Sequence, residues 1–186
     1  MPHFIKKEAN STQCTWWKRA YGLHYFSKAH LLKDSRYGLK DKASYSVNGH
    51  CHLDLSFWPL QHKDLMEIDT NYIESLNLES TNLLKESSIF YLAKQWKGCP
   101  LLHLNLAGCN HVTSSSCRVI GLYFNYLKKI NLNDCSEVSD KGIINLMKCK
   151  YLEEIFLRNI YRLEDRGLAS IRENMIVMKM LRILGT

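Results

Sequence analysis

Proline is scarce, with three residues in 186, so the chain is neither collagen-like nor built of polyproline segments. Its nine glycines stand apart and form no G-x-G-x-x-G or G-x-x-x-x-G-K run, which removes the loop that cradles a nucleotide phosphate. No segment approaches the ~18 consecutive apolar residues of a membrane helix. The opening MPHFIKKEANS lacks the apolar core of a secretory signal. The seven cysteines, Cys14, Cys51, Cys99, Cys109, Cys117, Cys135 and Cys149, contain no C-x-x-C pair. The usual framework of a structural zinc site is therefore missing, and an odd number without a signal peptide is expected to remain as free thiols.

Catalytic signatures are missing as well. There is no G-x-S-x-G nucleophile elbow, and the adjacency of Cys109 to His111 falls inside a repeat pattern described below, where His111 is expected to be an exposed turn residue. His50-Cys51-His52 groups three metal-ligating residue types, but neighbours on an extended chain point to opposite faces and rarely close on one ion. A binding protein without catalysis, cofactor or metal is expected.

Charge is unevenly spread. Residues 1–50 hold Lys6, Lys7, Lys18, Arg19, Lys28, Lys33, Arg36, Lys40 and Lys42 against Glu8, Asp34 and Asp41, which accounts for +6 of the net +7. No helix-turn-helix, zinc finger or aromatic-basic RNA motif accompanies them, so a solvated basic surface is expected and nucleic acid is not the expected partner. The same region carries Trp16, Trp17, Tyr21, Tyr25, Phe26, Tyr37 and Tyr45, and its spacing predicts a helix over 15–33. Residues 1–49 are accordingly assigned as a basic, aromatic-rich cap.

From about residue 50 onward the chain repeats itself. Copies of L-x-x-L-x-L begin at Ile73, Leu101, Leu127, Leu152 and Met178, after a partial Leu53-Asp-Leu55. The fourth position of each copy falls at 53, 76, 104, 130, 155 and 181, at intervals of 23, 28, 26, 25 and 26 residues. These intervals lie in the window of leucine-rich repeats. Cys109 and Cys135 both follow five places later, Gly142 and Gly167 twelve places later. Apolar residues recur at thirteen (Ile89, Cys117, Ile143, Leu168) and sixteen (Leu92, Ile120, Leu146, Ile171), the spacing of one helix face. Each unit therefore reads as strand, turn and helix. The expected fold is an α/β leucine-rich-repeat solenoid, a ribonuclease-inhibitor-like horseshoe fragment of about five units over 50–186, with a helical N-terminal cap. Ser139 or Asp140 is expected to cap a helix start. Cys109 and Cys135 are expected to form a buried ladder of small side chains rather than a disulfide. The stop at Leu184-Gly185-Thr186, directly after a sixth strand, suggests an edge covered by a partner or a chain that continues.

The stretches LHLNLAGCNHVTSSSCRVI and LKKINLNDCSEVSDKGIINLM resemble the cysteine-containing repeat of F-box/leucine-rich-repeat proteins, the substrate receptors of cullin-type ubiquitin ligases. HLDLSFWPLQHKDLMEI is similar to the first strand and helix after an F-box, and Trp16-Trp17-Lys18-Arg19-Ala20-Tyr21 to the tail of its last helix. Only fifteen residues precede Trp16, too few for the box itself, so the resemblance implies substrate recognition without the full adaptor-docking module. The chain is also similar to mitochondrial leucine-rich-repeat proteins related to the ATP synthase coupling factor B and to respiratory-complex assembly factors. The first resemblance implies a cytoplasmic or nuclear protein, the second a mitochondrial one.

Residues between the buried leucines of each strand are expected to face the concave side and to meet a protein partner. The candidates are Ser75, Asn77, His103, Asn105, Lys129, Asn131, Glu154 and Phe156. Lys128-Lys129 beside Glu153-Glu154 would supply charge, the asparagines a polar row and Phe156 an aromatic anchor.

Overall fold

The computed structural model describes residues 44–47, 50–56, 65, 73–81, 85–97, 101–174 and 180–182. The expected helix over 15–33 and the Trp16–Tyr21 segment lie outside these residues. In chain order the described elements are β1 (Ser44–Val47), β2 (His50–Asp54), β3 (Ile73–Asn77), α1 (Glu86–Gln95), β4 (His103–Asn105), α2 (Ser114–Tyr123), β5 (Lys129–Asn131), α3 (Asp140–Leu146), β6 (Glu154–Phe156), α4 (Asp165–Glu173) and β7 (Met180–Arg182).

All seven strands form one sheet in sequential order. β1 and β2 are antiparallel, with Val47 opposite His50. Residues 48 and 49 between them are Asn-Gly, the dipeptide most suited to a two-residue hairpin. β1 is thus a strand near the end of the segment 1–49, for which a helical cap is expected from the sequence. Every later pair is parallel, which requires a crossover, and a helix fills the described crossovers from β3 onward.

The pairing register reproduces the repeat spacing. Leu53, Leu76, Leu104, Ile130, Ile155 and Leu181 pair in turn across the sheet. Each helix also begins ten residues after its reference position, at Glu86, Ser114, Asp140 and Asp165. The strand leucines and the inward faces of α1–α4 close one core, in which Leu76, Leu104, Ile130 and Ile155 meet Ile89, Leu92, Cys117, Ile120, Ile143, Leu146 and Ile171. Burying each such side chain contributes roughly 1.5–3 kcal/mol. Trp96 and Phe124, following α1 and α2, meet edge to face at 6.4 Å. The stripe expected for the last helix departs at Leu168, which is 38% exposed. No described helix packs beyond α4, so only Gly167 and Ile171 of that helix are buried.

The turn after each strand is held by three recurring devices. Ser80, Gly108, Asp134 and Asn159, each four residues past the reference position, adopt φ of 55°, 68°, 60° and 56°. This left-handed region suits glycine, asparagine and aspartate. One residue past the reference, Asp54, Asn77, Asn105 and Asn131 each use a side-chain oxygen to accept the amide two residues on, at 3.0–3.1 Å. Five residues past it, the Thr81 hydroxyl donates to the Leu78 carbonyl at 2.7 Å. The Cys109 thiol donates to that same carbonyl at 3.1 Å, and the Cys135 thiol to the Leu106 carbonyl at 3.1 Å. The thiols at this position thus reach back one unit, as free, buried cysteines.

Helix starts are also tied across units. The Thr113 hydroxyl donates to Glu86 Oε1 at 3.0 Å, the Ser139 amide to Ser114 Oγ at 3.1 Å and the Glu164 amide to Asp140 Oδ1 at 2.7 Å. Thr113 alone builds a reciprocal capping box, with Ser116. The expected caps at Ser139 and Asp140 are corrected accordingly: neither caps α3, because both side chains are engaged with neighbouring units.

Two outcomes follow. A Cβ at Gly121 of α2 would fall inside the Asn145 carbonyl oxygen of α3, which is backbone and cannot yield. Gly121→Ala is expected to destabilise the protein by roughly 2 kcal/mol in urea unfolding, and a loss under about 0.5 kcal/mol would contradict this packing. Burial pushes the Cys117 and Cys149 thiols from 9.0 up to about 12. The folded chain then keeps both protons where the unfolded chain releases them, so the stabilisation is complete below pH 9 and declines as pH rises toward 12. Each thiol adds up to ~1.4 kcal/mol of loss per pH unit in that window. A Cys117→Ala/Cys149→Ala variant should lose stability less steeply than the parent between pH 9 and 11. Equal slopes would sink the idea.

Candidate functional site: the sheet face opposite the helices

Strand alternation puts the residues on either side of each buried leucine on the opposite face of the sheet. The register then brings all eight sequence-predicted residues together in two rows. Ser75 pairs with His103, His103 with Lys129 and Lys129 with Glu154. Asn77 pairs with Asn105, Asn105 with Asn131 and Asn131 with Phe156.

The rows differ in accessibility, which corrects the expectation that all eight are open to a partner. Ser75, Asn77, Asn105, Asn131 and Phe156 are buried, while His103, Lys129 and Glu154 are partly exposed. The asparagines are buried because their carbonyl oxygens are committed to closing the turns, which draws the amide groups against the sheet. Asn105 Nδ2 further donates to Asn77 Oδ1 at 2.9 Å and to Glu79 Oε2 at 3.2 Å. Glu79, a buried carboxylate on this edge, did not stand out in the sequence; its position three past Leu76, next to the asparagine row, was the available signal. Ser75 Oγ and Asn77 Nδ2 are buried without a hydrogen-bond partner. Leaving such a group unsatisfied costs on the order of 1–3 kcal/mol.

The accessible row carries the charge. Lys129 Nζ lies 2.8 Å from Glu154 Oε1, with the side chains 22% and 15% exposed. Lys128 and Glu153 are partly exposed in the positions preceding them. A cation and an anion held side by side at fixed register present a dipolar contact, which suits a protein surface of complementary charge better than a polyanion. Among the described residues no three His, Cys, Asp or Glu side chains converge as a metal site would need. No described helix is long and apolar enough to cross a membrane.

Comparison with known proteins places this geometry in context. No family model matches the chain. It is 33% identical over 64 residues to the BTB/POZ domain-containing protein FBL11 of Arabidopsis thaliana, a match covering 34% of this chain and 7% of that protein. It is similar in fold to a chain in the crystal structure of the Rad7 and Elc1 complex in yeast, with a TM-score of 0.57 and 18% identity. That similarity covers 68% of this chain and 34% of the other. The chain thus spans a small part of the plant relative and about a third of the yeast structure. The fold it shares with the latter is an α/β arrangement with a parallel sheet.

The Lys129–Glu154 pair is largely shielded from solvent, and a double-mutant cycle of Lys129→Ala and Glu154→Ala is expected to give a coupling of about 1 kcal/mol. A coupling indistinguishable from zero would mean that the row is not held in the observed geometry.

Proposed function

We propose that the chain is a leucine-rich-repeat scaffold of horseshoe type that recognises a protein through the partly exposed His103–Lys129–Glu154 row, without catalysis. The observation that carries this reading is the single register that places the repeat leucines in one row on the core side and the polar candidates in two rows on the other. In a stacked-repeat protein the variable strand face is the natural binding surface, because the core side is closed by helices.

The more specific role is substrate recognition in a cullin-type ubiquitin ligase, in a cytoplasmic or nuclear setting. Support comes from the cysteine-containing repeat motif, whose Cys109 and Cys135 thiols reach back to carbonyls of the preceding unit. The similarity to FBL11 and to a chain of the two-protein Rad7 and Elc1 complex is consistent with it. The relatives found lend no support to the mitochondrial reading. Fold alone does not fix function, so the test must read partners directly.

The tagged chain is to be recovered from cell extract beside a Lys128→Glu/Lys129→Glu variant and an Arg166→Glu control on α4, with bound proteins identified by mass spectrometry. The expected result is a ubiquitin-ligase component together with a client protein that is lost at least about tenfold in the sheet-face variant and retained in the control. Clients that bind the charge-reversed face equally well would overturn the surface assignment, and a bound set without ligase components would overturn the role.

A further inference from the structure

The outer side of the helical layer carries a recess that the sheet-face reading does not use. It has a volume of about 620 Å3 and lies between α1, α2 and α3, lined by Phe90, Ser115, Arg118, Val119 and Lys141 among others. Its apolar part is formed by Phe90, 49% exposed, whose ring is held edge-on against Tyr123 at 6.5 Å, and by the partly buried Val119. Large apolar side chains left open and rimmed by polar groups mark interaction surfaces.

The charge in the recess is unbalanced. Glu86, its acidic member, already accepts a hydrogen bond from the Thr113 hydroxyl. Arg118 and Lys141 are exposed, and among the described residues neither has an ion-pair partner. The surface thus offers two free cations beside an apolar floor.

The repeat gives this surface a ruler. Each helix starts ten residues after its reference leucine or isoleucine, so Phe90, Arg118 and Ile144 occupy equivalent positions, fourteen past Leu76, Leu104 and Ile130. Ile144 is 38% exposed. A cation therefore stands midway between two open apolar side chains on neighbouring helices. Packed helices lie roughly 8–10 Å apart, and an extended chain in the polyproline II form, with about three residues per turn, advances about 3.1 Å per residue. One helix spacing is then matched by about one turn of such an extended ligand, so that every third side chain returns to the same face.

We propose that this outer helical face docks an acidic, extended segment of a protein partner. A central carboxylate pairs with Arg118 and Lys141, and apolar side chains three residues to either side rest on Phe90 and Ile144. The recess favours such a segment over an anionic membrane surface, because a pocket beside Phe90 admits a side chain and a flat bilayer does not fill it. The inference is independent of the sheet-face reading, which concerns the other side of the sheet.

The test is selection of a random 12-residue peptide library displayed on phage against the full chain, followed by binding measurements with the enriched peptide in synthetic form. The expected consensus is an aspartate or glutamate with large apolar residues at about three positions before and after it. Affinity for the synthetic peptide should fall at least about tenfold in Arg118→Glu and in Phe90→Ser, and be unchanged in Lys129→Glu. Both helix-face variants alter exposed side chains, and a native far-UV circular dichroism spectrum and melting curve establish that they fold. No enrichment, a consensus without an acid, retention of binding in Arg118→Glu, or loss in Lys129→Glu would each overturn the proposal. So would preferential binding of the chain to phosphatidylserine vesicles that is abolished by Arg118→Glu.

Discussion

The structure depends on one constraint: a unit of strand, turn and helix satisfies only part of its own polar groups at the turn, and bonds from its neighbour complete the closure. The Leu78 carbonyl is met by the Cys109 thiol of the following unit and the Leu106 carbonyl by Cys135. The Ser139 and Glu164 amides are met by Ser114 and Asp140 of the preceding units. A buried carbonyl or amide left unpaired costs on the order of 1–3 kcal/mol, so a misplaced unit forfeits several such bonds at once. This fixes the register, and the register in turn places the candidate site. Ser75, His103, Lys129 and Glu154 come into one row because Leu76, Leu104, Ile130 and Ile155 do.

Much of the architecture was legible in the sequence because it is periodic. The reference positions at 53, 76, 104, 130, 155 and 181 are the positions that pair across the sheet. The inward stripes of α1–α3 were equally readable from their three-to-four spacing. What escaped the sequence has physical reasons. Asparagine between leucines reads as a polar, outward residue, yet its side chain can close a turn, and Asn77, Asn105 and Asn131 do so and are buried. Serine and aspartate before a helix read as its own caps, whereas Ser139 and Asp140 bond to other units. Leu168 follows the stripe but lacks a described neighbour on its outer side, which no local pattern expresses.

The candidate site therefore has two layers of different character. The asparagine row, with Glu79 beneath it, is scaffold that sets the geometry of the face, and the His103–Lys129–Glu154 row is what remains open for contact. The outer helical face follows the same division: Gly121 and the inward stripe are fixed by packing, while the fourteenth position of three successive units faces outward and carries Phe90, Arg118 and Ile144. A single repeat thus fixes alignment through a few positions and leaves others open on each side of the molecule for recognition.

Neighbour-dependent turn closure is tested most directly by hydrogen exchange in an Asn105→Ala variant. That substitution removes the acceptor for the Ala107 amide and the donor to Asn77 and Glu79 in the preceding unit. Exchange is predicted to accelerate both over 107–109 and over 79–81, with α4 keeping the protection it has in the parent chain. Acceleration confined to 107–109 would contradict the account, because it would show that each turn closes on its own.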